Sequence, residues 1–167
     1  MKATPLAGLW AVPAALLLHN LEESLTLGAA LPRLEAAVAR LVGRPLSLPT
    51  AAQYQRALLV LTTAVVALYV LARVWDRLAY ALVVVQAVMT VNVGVHVAFA
   101  VLLGGYAPGL LTAVLVEAPA SVLVLRQLRR SAWMTRTQWR LLPWLAAFLH
   151  GPGLVALLKG AGVRSCL

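Results

Sequence analysis

From Leu78 to Leu103 the chain carries no Asp, Glu, Lys or Arg, and long apolar runs recur before and after this stretch. A bilayer asks about 20 predominantly apolar residues of a helix that crosses it. Five such runs are read along the sequence, at roughly 5–30, 52–72, 78–103, 109–126 and 140–158. They are continuous, without the period-two alternation of barrel strands, and a lone segment in lipid must satisfy its own backbone hydrogen bonds. The predicted fold class is therefore all-α: one transmembrane helical domain over 1–167, an integral membrane bundle of about five helices. Composition points the same way, with 62% hydrophobic and 11% charged residues, where soluble chains are nearer half apolar and about a quarter charged.

The segment from Leu31 to Thr50 interrupts the pattern. Pro32, Pro45 and Pro49 bracket Arg33, Glu35, Arg40 and Arg44 among Leu, Ala and Val, which predicts an interfacial amphipathic helix after the first span. Lys2, the apolar run behind it and the small residues Gly28, Ala29 and Ala30 resemble a signal peptide. That reading is set aside, because the run carries His19, Asn20, Glu22 and Glu23, which a discarded segment has no reason to contain.

Fourteen Lys and Arg against five Asp and Glu give a net charge of +9. In a soluble chain this would suggest nucleic acid, but no nucleic-acid signature accompanies it, and cations flanking membrane spans set topology. Arg126, Arg129, Arg130, Arg136 and Arg140 crowd one connection, between the fourth and fifth spans. With a cytoplasmic N-terminus that loop is inside, together with Lys2, Arg73 and Arg77, while Arg33, Arg40, Arg44, Arg56, Lys159 and Arg164 are outside. Trp75, Trp133, Trp139 and Trp144 then fall at the cytoplasmic boundary, where indole rings settle. The expected localisation is a multi-pass protein of a bacterial cytoplasmic membrane, its basic loop resting on anionic lipid. The single cysteine, Cys166, excludes a disulfide framework or thiolate metal cluster. Nothing in the sequence fixes an oligomeric state.

In so apolar a chain the few ionisable residues carry the information. Glu22, Glu23 and Glu117, and the histidines His19, His96 and His150, all lie inside the predicted spans. A carboxylate left ionised at mid-membrane costs about 2.5–3.5 kcal/mol on insertion scales, so these groups need partners, an ion or a proton. Counted from the predicted span ends at 1.5 Å per residue, all six sit about 11–17 Å below the outer surface. Four helices thus present ionisable groups at one level. His19, Glu22 and Glu23 share a helix face, at i, i+3 and i+4, as do Asn92 and His96 at i and i+4. Glu117 shares its face with Ser121 and the small Ala113 and Ala120, which admit a close neighbour.

This pattern predicts a divalent ion, Zn, Fe or Mn, held by His19, Glu22, Glu23, His96 and Glu117, with Asn92 or His150 as a further ligand or a partner to one. Such an ion offsets the buried carboxylates. H-x-x-E-E is not the zincin motif, and that mechanism does not transfer. Metal-free proton exchange by Glu and His with a lipid-like substrate, as in an isomerase or cyclase, fits the same residues. So does transport of protons or metal ions, although no inverted repeat is evident, and so does a purely structural polar cluster. Gly104-Gly105-Tyr106-Ala107-Pro108-Gly109 reads as a tight outer turn, from which Tyr106 can lean over the site. His150-Gly151-Pro152-Gly153 interrupts the last helix, either lining a cavity or letting the ring cap freed backbone groups.

His19-Asn20-Leu21-Glu22-Glu23 reads as H-x-x-E-E, His96 follows, and Tyr106-Ala107-Pro108-Gly109 reads as Y-x-P-G, in that order in a small multi-spanning chain. In these elements the sequence resembles the HXXEE domain family of integral membrane proteins, from the first span through the fourth. The resemblance implies no activity, the family being named for its motif. It marks His19, Glu22, Glu23, His96, Tyr106, Pro108 and Gly109, whereas Glu117 and His150 rest on depth alone. The functional expectation is a metal-dependent intramembrane enzyme acting on a lipid or other apolar molecule. Glu22, Glu23 or a water activated by the ion would take the acid–base step, and Tyr106 would orient the substrate.

Overall fold

The first long helix, α1, runs unbroken from Ala11 to Val42 and passes through Pro32, so the interfacial helix expected after the first span is not a separate element. A proline inside a helix removes one hydrogen bond and crowds the preceding turn. Here tertiary burial outweighs it, because Leu34 and Ala37 continue the buried stripe of α1 past the proline. Two further contacts hold the extension: Arg33 donates to the Leu103 carbonyl at 3.3 Å, and Glu35 accepts from the Leu48 N–H at 3.1 Å. The stop comes at Gly43, whose φ of 73° and N–H bond to the Ala39 carbonyl close the helix in the left-handed conformation.

The computed structural model describes residues 6–45, 48–153 and 156. Lys2, Lys159, Arg164, Cys166 and the expected far end of the fifth span lie outside the described residues. Helix α2 (Ala51–Ala72) starts from a capping box between Thr50 and Gln53. Helix α3 (Ala79–Leu103) follows a single 3-10 turn, Asp76–Leu78. Helix α4 (Leu110–Ser131) contains a π-helical segment, Ala113–Glu117, immediately before Pro119. The ring of Pro119 would press on the carbonyl of the turn before it, and the wider π turn relieves that contact. Helix α5 (Arg136–Phe148) starts from a second capping box, Thr135 with Gln138, and continues as a π turn, Leu149–Gly153, around Pro152. No strand occurs among the described residues.

Short connections make successive helices antiparallel. Consistent with this, Arg33 near the end of α1 meets the end of α3, Tyr80 at the start of α3 donates to the Gln138 carbonyl at the start of α5, and Gly8 lies against Gln127 near the end of α4. Helices Ala51–Ala72, Asp76–Leu103 and Leu110–Ser131 are each long and apolar enough to cross a membrane, as befits a membrane protein. Helix α1 is not among them, its apolar run being interrupted midway by His19, Asn20, Glu22 and Glu23. The core is densest toward the Leu9 end, where Leu9, Val12, Leu82, Val83 and Leu128 are almost wholly buried. At the same end Arg129 stacks over Trp139, 5.4 Å from its ring centre.

Candidate metal centre

The polar residues of α1 point into the bundle because they occupy the stripe that its buried leucines define, and three other helices meet them there. His19 is 1% exposed. Its ring stands edge-on to that of His96 on α3, with centroids 4.7 Å apart. Glu117 on α4 is wholly buried, one oxygen 3.9 Å from His19 Nδ1. His150, on the π turn after α5, lies 3.0 Å from the Asn92 side-chain oxygen. The six ionisable groups expected at one depth thus fall around one locus.

The two glutamates of the motif part company. Glu22 is taken up by the start of α4, which Gly109 opens without a side-chain cap of its own. Glu22 Oε1 accepts from the Tyr106 hydroxyl at 2.5 Å and the Leu111 N–H at 3.2 Å. Its Oε2 accepts from the Thr112 N–H at 2.6 Å and the Thr112 hydroxyl at 2.5 Å. A carboxylate so placed caps a helix N-terminus from a neighbouring helix. Tyr106, expected to orient a substrate, instead gives its hydroxyl to this cap. Partial desolvation, and the bond to Glu22, hold the phenol above its ordinary pKa, so it remains a donor at neutral pH.

Glu23 faces the other way. One of its oxygens lies 3.6 Å from His19 Nε2, and ligand atoms of His19, Glu23 and His96 all fall within 4.8 Å of one another. This group can hold a metal ion. Glu22 and Glu117, the other two expected ligands, are not in it: both Glu22 oxygens serve α4, and Glu117 approaches His19 from its Nδ1 side.

Hydrogen bonding also orients the His19 ring. Thr112 has one hydroxyl proton and gives it to Glu22, so at 3.2 Å it accepts the Nδ1–H of His19. Nε2 is then the acceptor nitrogen; it faces Glu23, and its one lone pair takes the Asn92 amide at 2.9 Å. Metal-ligating histidines commonly donate their second nitrogen to an oriented acceptor in this way. The Asn92 amide is held in turn, since its oxygen accepts from His150 and its nitrogen also reaches Glu117 at 3.3 Å. The second Glu117 oxygen has no hydrogen-bond partner although it is buried. Thr112 escaped the sequence reading. Its only signal is its place in the first turn after Gly109, where N–H groups need an acceptor.

Gly109 is required on two counts. Its φ of 76° lies where side chains are strained. A Cβ there would also meet His19 Cε1 at 2.7 Å and His96 Cε1 at 2.9 Å, so the Y-x-P-G turn lays bare backbone against both imidazoles. Beside the site opens a cavity of about 300 Å³, bounded by His19, Glu23 and Asn92 at one end and by Leu16, Leu58, Leu61, Val85 and Val88 along its walls.

A family model described as "Protein of unknown function with HXXEE motif" matches residues 10–124, the stretch from the start of α1 into α4. No curated protein matches the chain, and no solved structure does.

Proposed function

The chain belongs to the HXXEE family, and for its buried site we propose a divalent metal centre of an intramembrane enzyme, with His19, Glu23 and His96 as the protein ligands. The observation that carries this is the convergence of two imidazoles and one carboxylate within 4.8 Å, two of which, His19 and Glu23, line a mostly apolar cavity of about 300 Å³. Two histidines and a carboxylate suit Zn and Fe, and Mn accepts the same donors. An ion there would supply Lewis-acid polarisation of a substrate oxygen, or a nucleophile at neutral pH.

The residues around it have separable work. Thr112 fixes the His19 tautomer that leaves Nε2 as the nitrogen that would hold the ion, and the Asn92 amide, which occupies that lone pair here, would turn aside when the ion binds. Glu22 ties α1 to the start of α4 and thereby keeps Gly109 against both rings. The apolar walls exclude water and admit a lipid or other apolar molecule as substrate, at the small end of the usual range of ligand pockets, about 300–1,000 Å³. In this reading the chain crosses the membrane five times, α1 and the α5 region joining the three apolar spans, with the N-terminus cytoplasmic and the site in the outer half.

The test is the metal content of protein purified without a histidine tag, measured by inductively coupled plasma mass spectrometry. The expected result is about one equivalent of Zn, Fe or Mn, lost in His19→Ala and Glu23→Gln and kept in Glu117→Gln. Protein that holds no ion after each has been supplied overturns the proposal.

A further inference from the structure

A second cavity, of about 160 Å³, adjoins the first. The larger one extends from Glu23 toward Leu16, on the N-terminal side along α1. The smaller one extends from Glu23 toward Leu27, Leu34 and Val38, on the C-terminal side, and is also lined by His96, Phe99, Ala107 and Pro108. Glu23, Tyr54, Asn92 and His150 line both. The polar groups therefore stand at the junction, and apolar walls lead away from it in both directions.

We propose that the site takes a two-armed apolar molecule whose polar group lies within the chain and not at its end. That group sits at the junction beside Glu23 and Tyr54, the longer arm fills the larger cavity and the shorter arm the smaller. A molecule with a terminal head group would either leave one apolar cavity unfilled or press its head into it. A second arm gains the van der Waals contacts that an unfilled apolar cavity forfeits. Tyr54 is the phenol available to this group, because Tyr106 spends its hydroxyl on Glu22 while Tyr54 lines both cavities within electrostatic reach of Glu23. Long-chain ketones, internal esters and internally unsaturated alcohols have this form. The inference rests on the proposal that the chemistry is centred on Glu23, and it names the substrate class for that site.

The probes are two isomeric long-chain ketones of equal carbon number, one with its carbonyl at mid-chain and one with it at the second carbon. Equal composition gives both a similar partition into detergent, so a difference in binding reports the site. Isothermal titration calorimetry on the full chain is expected to show the mid-chain isomer binding at least ten-fold more tightly. Tyr54→Phe should weaken it several-fold, and Val38→Trp, which fills the smaller cavity, should erase the preference. The wild-type comparison stands without either variant should one fail to fold. Equal binding of the isomers, or binding of neither, overturns the two-armed proposal. Metal content measured on the same samples separates the two ideas. A mid-chain preference without metal defeats only the metal centre, and a metal-loaded protein without the preference defeats only the two-armed ligand.

Discussion

The two ends of the bundle are built from the same helices to opposite purposes. Toward Leu9 and Leu128 the interior is closed by Val12, Leu82 and Val83, each almost wholly buried. Toward Gly109 the equivalent positions carry His19, His96 and Glu117, and two cavities remain open beside them. Close packing of apolar side chains stabilises a membrane bundle through van der Waals contact, whereas buried imidazole and carboxylate groups cost free energy unless paired. The comparison teaches that one end supplies stability and the other spends some of it on a site.

The sharpest way to break this division is to damage the closed end. Leu82→Ala should lower stability by about 2–5 kcal/mol, the cost of a core leucine with its cavity, seen as a lower thermal midpoint in detergent. Metal content should not change; if it falls with the midpoint, the two ends are not separable. Gly109→Ala attacks the open end. It places a residue at positive φ and a Cβ against both rings, so about 1–3 kcal/mol of strain should appear together with loss of metal.

Thr112→Val keeps the shape of the side chain and removes the hydroxyl between Glu22 and His19. It should cost about 10-fold or more in metal affinity, as loss of a ligand's orienting partner does, with a smaller drop in thermal midpoint. Competition against a chelator of known affinity reads the first effect. Tyr106→Phe should do least, at most about 1 kcal/mol, because Glu22 keeps its three contacts to Leu111 and Thr112. The Tyr106 phenol is held above its ordinary pKa, so its contribution is intact below about pH 10 and is lost as pH rises through the folded value. Alkaline titration of stability should therefore bend in the wild type and not in the variant.

Much of this architecture is legible in the sequence, for identifiable reasons. Helices α2, α3 and α4 declare themselves because their apolar runs have marked boundaries, Thr50 capping the start of α2, Gly104 stopping α3 in a left-handed turn and Gly109 opening α4. That His19, Glu23, His96, Glu117 and His150 meet follows from their common depth, since antiparallel helices of similar length align such levels. Pro32 misleads because a local rule against proline loses to the burial of Leu34 and Ala37, which only the packed structure reveals. The division of labour between Glu22 and Glu23 is invisible too. Adjacent residues on a helix differ by a rotation of about 100°, 360° shared among 3.6 residues per turn, and which neighbour each meets depends on where α4 begins. Thr112 is missed because it is neither rare nor charged, and its part in the site comes from position alone.

The central claim, that His19, Glu23 and His96 form one metal centre, is tested most directly by X-ray absorption at the metal edge of the loaded protein. The expected first coordination shell is of nitrogen and oxygen with two imidazoles, and with one in His96→Ala, whose weakened site is filled by excess ion. A shell without imidazole, or one unchanged by His96→Ala, would contradict it.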